Sequence, residues 1–228
     1  VDNRQSLHFK QLFDSIKFFE FNNLHHEHIS YGTLNDSDGN PFKTRDGGTK
    51  PLSELFDETY EYIKNINSDL EDATIKQLAN SVLTFSDLIT NRKTDYKFDL
   101  EKFTNVNGKT GIYVQYAQVR AKKLQQSTSQ QKNEVGSLVL SGVDKQLLSQ
   151  LFMFGYFLEQ SSSLNEPHHL ANYLYDISNS FNQFYEHEKL SEIKDINHLS
   201  SKLYLINLFL TTSKNVMFCL GIKPVDKM

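Results

Sequence analysis

The chain has 228 residues, of which 38% are hydrophobic and 23% charged, with a formal net charge of -4 at neutral pH. No run of about 18 apolar residues occurs, so no membrane-spanning helix is predicted, and the single cysteine, Cys219, excludes an intrachain disulfide and fits a reducing compartment. With 17 Phe, 11 Tyr and no Trp, much of the core must be packed from phenyl and phenol rings.

The total charge excludes a uniformly basic nucleic-acid binder. Its distribution is uneven. Between Asn91 and Gln125 eight basic residues (Arg92, Lys93, Lys97, Lys102, Lys109, Arg120, Lys122 and Lys123) stand against three acids. Charge alone reads most simply as a solvated face.

In chain order, Phe9, Leu12, Ile16 and Phe19 repeat at helical spacing and predict a helix over 5–19. A His-rich segment follows, with His25, His26 and His28. Residues 35–48 are polar and turn-forming and read as a mobile loop. Thr49 is placed to cap the next helix, with Pro51 in its first turn and Leu52, Leu55, Phe56, Thr59, Ile63 and Ile66 along one side. A helix over 72–90 carries Ile75, Leu78, Val82, Phe85 and Ile89. A basic turn and a short extended or single-turn piece over 96–103 precede Asn107 and Gly108. Four further helices are predicted: 110–125, 144–159, 168–185 and 199–220, the last closed by Gly221 and Pro224. Residues 127–142 and 188–197 read as connections. Cys219 is expected to be a buried structural thiol, and Phe181 and Phe184 core residues.

On spacing alone, Tyr113, Tyr116 and Arg120 fall at i, i+3 and i+7, so one helix face could present two rings and a guanidinium. Splayed RNA bases stack on such planes, but tyrosines buried in a core would show the same pattern. Lys109, Lys122 and Lys123 lie close enough in sequence to meet phosphates. The His25, His26 and His28 cluster, and the pair His168 and His169, lack a completed four-ligand set, so no metal site is expected.

Four stretches, in order, together resemble one family, the arginyl-tRNA synthetases. The first runs from Asp2, Arg4 and Gln5 through His8, Gln11 and Phe13, similar to the segment after the arginine-binding strand. The second runs from Gly39 through Pro41, Lys43, Thr44 and Arg45 to Gly47, Gly48 and Thr49, similar to a form of the class I KMSKS loop. The third, from Gly111 through Tyr113, Gln115, Tyr116 and Ala117 to Arg120, resembles the first helix of the anticodon-binding domain. The fourth comprises Tyr173, Tyr175, Asp176, Phe181, Asn182, Phe184 and Tyr185, then Leu220, Gly221, Ile222 and Met228, and resembles the family's C-terminal end. Two positions depart: Asn40 stands where the loop commonly has Lys, leaving Lys43 and Arg45 to carry the charge, and Thr84 stands where Lys is frequent, a surface or packing change.

The resemblance implies a mainly α chain: an α/β tail of a class I nucleotide-binding catalytic domain over 1–106, then an all-helical anticodon-binding bundle over 107–228. It implies arginine–tRNA ligase chemistry, in which ATP with Mg2+ is a substrate and no cofactor is tightly held. Lys43 and Arg45 would stabilise charge developing on pyrophosphate. His28, Tyr31, Gly32 and Thr44 would join them at ATP, largely through backbone, and Gln5 would orient arginine through its carboxamide. His8 is expected to pack at the start of its helix. Lys109, Tyr113, Tyr116, Arg120, Lys123, Tyr185 and Met228 would meet arginine tRNA. The family's HIGH signature is nowhere in the chain, so the catalytic half would lie upstream of Val1, and this polypeptide is expected to be inactive alone. A cytoplasmic monomer away from membranes is expected. The competing readings are a stand-alone tRNA-binding module without catalysis and a helical interaction protein.

Overall fold

The computed structural model describes residues 1–20, 24–35, 51–97, 99–128, 138–187 and 189–228. Among them are nine α-helices and two very short strands: α1 (Ser6–Phe18), β1 (Leu34–Asn35), α2 (Leu52–Ile66), α3 (Asp72–Leu88), β2 (Tyr96–Lys97), α4 (Leu100–Phe103), α5 (Gly111–Thr128), α6 (Gly142–Leu151), α7 (Phe154–Ser163), α8 (His168–His187) and α9 (Ile196–Cys219). β1 and β2 pair in parallel, with Leu34 opposite Tyr96, and Asp2 bridges to Tyr31 in parallel as well. Parallel neighbours need a crossover, supplied here by α2 and α3. No described helix is long and apolar enough to cross a membrane.

The core is ring-rich, as the composition requires. α5, α8 and α9 enclose a cluster containing Val114, Ala117, Leu174, Ile177, Phe181, Phe209 and Met217, with Phe85 of α3 and Leu147 and Leu151 of α6 added to it. Phe181 and Phe209 stack with centroids 4.2 Å apart. Burying each such side chain stabilises the fold by about 1.5–3 kcal/mol. A second cluster joins Ile63 of α2, Ile75, Leu78 and Val82 of α3, Ile112 and Val119 of α5, and Val225 of the tail. Gly111 lets α3 and α5 meet at their backbones: a Cβ there would lie 2.3 Å from the Ser81 carbonyl oxygen.

Buried polar groups tie these layers together. Gln115 donates through Nε2 to Ser81 Oγ at 2.8 Å and to the Lys223 carbonyl at 2.7 Å, and accepts from Val225 N–H at 3.0 Å. One carboxamide thus clamps the C-terminal tail against α3 and α5. Lys202 of α9 and Asp144 of α6 form an ion pair at 2.7 Å with side chains 2% and 0% exposed. Asp144 also completes a capping box with Ser141. Burial alone pushes the Asp144 carboxyl up, but the Lys202 ammonium and the Ser141 donors outweigh it and hold the group below its ordinary value.

The periodic helices lie where the spacing places them, with four differences. The helix expected over 144–159 is two: α6 ends at Leu151 and α7 starts at Phe154. The buried Tyr173 hydroxyl donates to the Gln150 and Leu151 carbonyls at 3.1 and 3.2 Å, and those are acceptors a continuous helix would use itself. Pro51 is the N-cap of α2 rather than part of its first turn, and Thr49 lies outside the described residues. Cys219 is exposed, not buried, because the turn that buries Val216, Met217 and Leu220 directs Phe218 and Cys219 to solvent. His8 is exposed at the start of α1, a helix with no buried residue. Gly221 follows α9 at φ +73°, the left-handed stop expected of it.

Candidate nucleic-acid interface

α5 and α8 run side by side in the same direction, and a polar seam follows their shared edge. On α8 the seam is Asn172, Tyr175, Asn179, Asn182 and Glu186, alternating steps of three and four along a helix whose other face is core. At its upper end Lys109 Nζ donates to Asn172 Oδ1 at 2.8 Å and sits 5.3 Å from the Tyr175 ring centroid. In the middle, the Tyr113 ring meets that of Tyr175 at 5.3 Å and its hydroxyl donates to Asn179 Oδ1 at 3.2 Å. Burial pushes the Tyr175 hydroxyl up, and burial likewise raises the neighbouring Asp176 carboxyl against the pull of Lys109.

At the lower end Arg120 lies between two rings, its guanidinium carbon 4.2 Å from the Tyr116 centroid and 4.8 Å from that of Tyr185. Its Nη1 donates to Asn182 Oδ1 at 3.2 Å and its Nη2 to the Tyr116 hydroxyl at 3.0 Å, with Glu186 at 3.8 Å. The two rings are 37% and 38% exposed. The fork is therefore held in plane by groups from both helices while the flanking rings stay open to solvent. Such an arrangement offers stacking surfaces and donors to a planar ligand with acceptor edges.

The face expected to present Tyr113, Tyr116 and Arg120 together is thus divided. Tyr116 and Arg120 pair with Tyr185, whereas Tyr113 turns toward Tyr175 and is half-buried. Of the expected lysines, Lys109 is engaged in the seam and Lys123 is exposed. Lys122 donates to the Val225 carbonyl and to Asp226 Oδ1, fastening the tail. Met228 packs against the cluster of α2, α3 and α5, and not with the Tyr116, Arg120 and Tyr185 group. Asn172 and Asn179 were not singled out from the sequence, and Asn182 entered only as part of the C-terminal stretch that resembles the family. The signal present was Asn172 and Asn179, seven residues apart on one side of an amphipathic helix.

The N-terminal candidates lie elsewhere. Gln5 is exposed at the N-cap of α1. His28 stacks on Phe9 at 4.5 Å and has Nε2 at 3.2 Å from the Val1 carbonyl, while His26 stacks on Phe13. Tyr31 is held by its backbone to Val1 and Asn3 with its ring exposed. At Gly32 a Cβ would lie 2.7 Å from Thr94 backbone, so that close approach requires glycine. Tyr31 and Gly32 line an open cavity of about 790 Å³ with Leu52 and Phe56 of α2, Leu83, Thr84 and Asp87 of α3, and Tyr96. Lys43, Thr44 and Arg45 lie outside the described residues.

Among the described residues, Glu166, His168 and His169 bring three possible ligand atoms within 4.8 Å of one another. Lys93 already holds Glu166 at 3.2 Å, and burial together with His169 depresses His168 basicity. Adjacent Arg92 and Lys93 charges oppose a cation there, so the cluster reads as an ion-pair corner.

Two family models match different parts of the chain. Residues 114–228 match the DALR anticodon binding domain, and residues 1–100 match the catalytic domain of class I tRNA synthetases (R). An arginine–tRNA ligase of Francisella tularensis is 36% identical over 206 residues, covering 86% of this chain and 36% of the relative. One of Alcanivorax borkumensis is 35% identical, covering 100% of this chain and 41% of the relative. The chain therefore spans well under half the length of these relatives. The arginyl-tRNA synthetase of Plasmodium falciparum superposes with a TM-score of 0.79 at 25% identity, over 100% of this chain and 40% of that one. That of Thermus thermophilus shares the fold, with a TM-score of 0.71 at 22% identity over 88% of this chain and 35% of that one. The chain belongs to the arginyl-tRNA synthetase family, carrying its DALR anticodon-binding domain and a stretch of its class I catalytic domain.

Proposed function

We propose that this chain holds the anticodon arm of arginine tRNA and contributes part of the ATP and arginine site to an enzyme that joins L-arginine to that tRNA. The observation that carries the reading is the Arg120 guanidinium fixed between the half-open rings of Tyr116 and Tyr185. Base stacking on such rings contributes about 1–3 kcal/mol per base. Lys109, Tyr113, Lys123 and Met228 complete the RNA-facing set in this reading. The helical unit, 107–228, reads the RNA, and residues 1–106 serve the reaction.

In that reaction the arginine carboxylate attacks the α-phosphorus of ATP and pyrophosphate leaves. Lys43 and Arg45 stabilise the leaving charge, Thr44 adds a hydroxyl, and Mg2+ accompanies the ATP. The backbone around His28, Tyr31 and Gly32 faces the adenine, and Gln5 orients arginine. The setting is the cytoplasm, with the chain acting as a monomer.

A gel-shift titration with an arginine tRNA transcript tests the central step. Replacing Arg120 or Tyr185 with Ala should weaken binding by roughly 5–150-fold, equivalent to about 1–3 kcal/mol, with circular dichroism unchanged. Equal affinity of the wild-type chain for a transcript with an altered anticodon, or wild-type affinity in both variants, would falsify the reading. Binding should weaken with added salt as phosphate contacts are lost.

A further inference from the structure

α5 has a second polar side. Tyr116 and Arg120 face α8, while Gln118, Lys122 and Gln125 stand on the opposite side of the helix, toward α9. Together with Asn207, Thr211 and Lys214 of α9 they line a groove of about 390 Å³. Gln118 is 1% exposed and fixed there, donating from Nε2 to Ser213 Oγ at 2.6 Å. Gln125 Nε2 donates to Asn207 Oδ1, which leaves the Nδ2 edge of that exposed asparagine as a donor. Asp226 of the tail reaches the edge of the groove, where Lys122 pairs with it at 2.7 Å.

On α9 the groove opens onto a stripe. Tyr204, Asn207, Thr211, Lys214 and Phe218 follow one another at steps of three and four, so they share one side of the helix. All five are exposed, the two rings at 44% and 83%. The stripe is about 21 Å long at the standard helical rise. α5 and α9, 18 and 24 residues long, contain no Asp or Glu, in a chain that has 28. The exposed side of α2 is different, with Glu54, Asp57, Glu58 and Glu61 beside Lys64. A face that serves solubility mixes both signs of charge, whereas one that meets an anionic polymer excludes acids.

We infer that the groove between α5 and α9 and the stripe beside it form a second RNA-binding surface, which takes the backbone of a single strand. Lys214 meets phosphate as a cation, and Asn207 and Thr211 donate to phosphate or ribose oxygens. The Tyr204 and Phe218 rings stack bases at the two ends. Rings alternating with donors suit RNA because every base has a face to stack and every nucleotide a phosphate to hold. That the RNA is the part of arginine tRNA next to the loop held at Arg120 rests on the proposed function; the surface itself does not.

Fluorescence anisotropy of the full chain over a salt series tests the surface, with an arginine tRNA transcript and the same transcript carrying an altered anticodon. Lys214→Gln should weaken both alike and flatten the slope of log affinity against log salt by about 0.7–0.9, the value of one phosphate contact. Lys214→Arg should keep the wild-type slope. Phe218→Ala should weaken both transcripts by roughly 5–150-fold, with circular dichroism unchanged. Wild-type affinity and slope in Lys214→Gln and Phe218→Ala would overturn the inference and leave the stripe to a protein partner. The proposed function survives that result where the wild type still tells the two anticodons apart. Equal binding of both transcripts, lost in Lys214→Gln and Phe218→Ala, keeps the surface and removes anticodon reading. Binding of neither transcript removes both.

Discussion

α1 and α8 are both amphipathic by spacing, yet they fare differently in the folded chain. α8 buries ten residues against α5, α6, α7 and α9. α1 buries none, and its Leu7, Leu12 and Phe18 are 67%, 43% and 80% exposed. Periodicity states that a helix has an apolar side. It does not state where the covering surface comes from. The helical unit supplies its own partners from four other helices, whereas the stretch around Tyr31 and Gly32 is held by backbone bonds to Val1, Asn3 and Arg92 and by the Arg92 side chain, which donates to the Ser30 and Asn165 carbonyls.

Four expectations would break or sharpen this contrast. The largest concerns the buried ion pair. Lys202→Ala should cost about 3–5 kcal/mol in urea unfolding, since it leaves a buried carboxylate unpaired. Pairing Lys202→Met with Asp144→Asn should restore much of that loss. Because the folded Asp144 carboxyl titrates below its ordinary value of 3.8, its contribution is complete above that pH and is lost as pH falls further. A wild-type acid-unfolding profile that matched the double variant's would show the pair contributes nothing.

Next, Gly111→Ala places a Cβ against the Ser81 and Val82 backbone, which cannot rotate away as a side chain would. A loss of about 1–3 kcal/mol is expected from such overpacking, read as a lower thermal midpoint. An unchanged midpoint would mean that α3 and α5 separate freely.

The third expectation distinguishes the two ends of the seam. Arg120→Ala should weaken tRNA binding by roughly 5–150-fold yet change stability by less than about 1 kcal/mol, the scale of a partly exposed cation–π contact. Tyr113→Phe should affect binding less, because that hydroxyl is already bonded to Asn179. Equal losses of binding would contradict the separation of the two groups.

The smallest effect is expected in α1. Leu7→Ser or Phe18→Ser should shift the stability of this chain by no more than about 0.5 kcal/mol, as exposed positions do. A loss of 2 kcal/mol or more would show that the side chains of α1 are covered in solution.

Of the interface, the helix that carries Tyr116 and Arg120 was legible, as were the motif stretches that resemble one family. The partners that hold Arg120 were not. Asn182 lies 62 positions away, and an amide on a helix is equally at home in solvent. The contacts of Tyr113 were not legible for a related reason: spacing gives its direction on α5, but the presence of Tyr175 across the seam decides what it touches. The break between α6 and α7 was invisible because its cause, the hydroxyl of Tyr173, comes from another helix. Cys219 was misjudged because α9 is apolar over much of its circumference and the exposed side had to be chosen by its neighbours.

By itself the sequence determined that the chain is mainly helical, that its core is built from phenyl and phenol rings, and where helices stop at Gly221 and at the polar connections. These follow from local rules of period, composition and backbone freedom, which act within a turn or two of chain. Only the tertiary structure decided that Arg120 is clamped by α8, that Gln115 fastens the tail, that Lys202 finds Asp144, and that Arg92 joins Ser30 to Asn165 in the turn before α8. Each of these is a polar contact between residues dozens of positions apart. Its worth depends on desolvation and on partners brought close by packing, and neither is encoded in the spacing of any one segment.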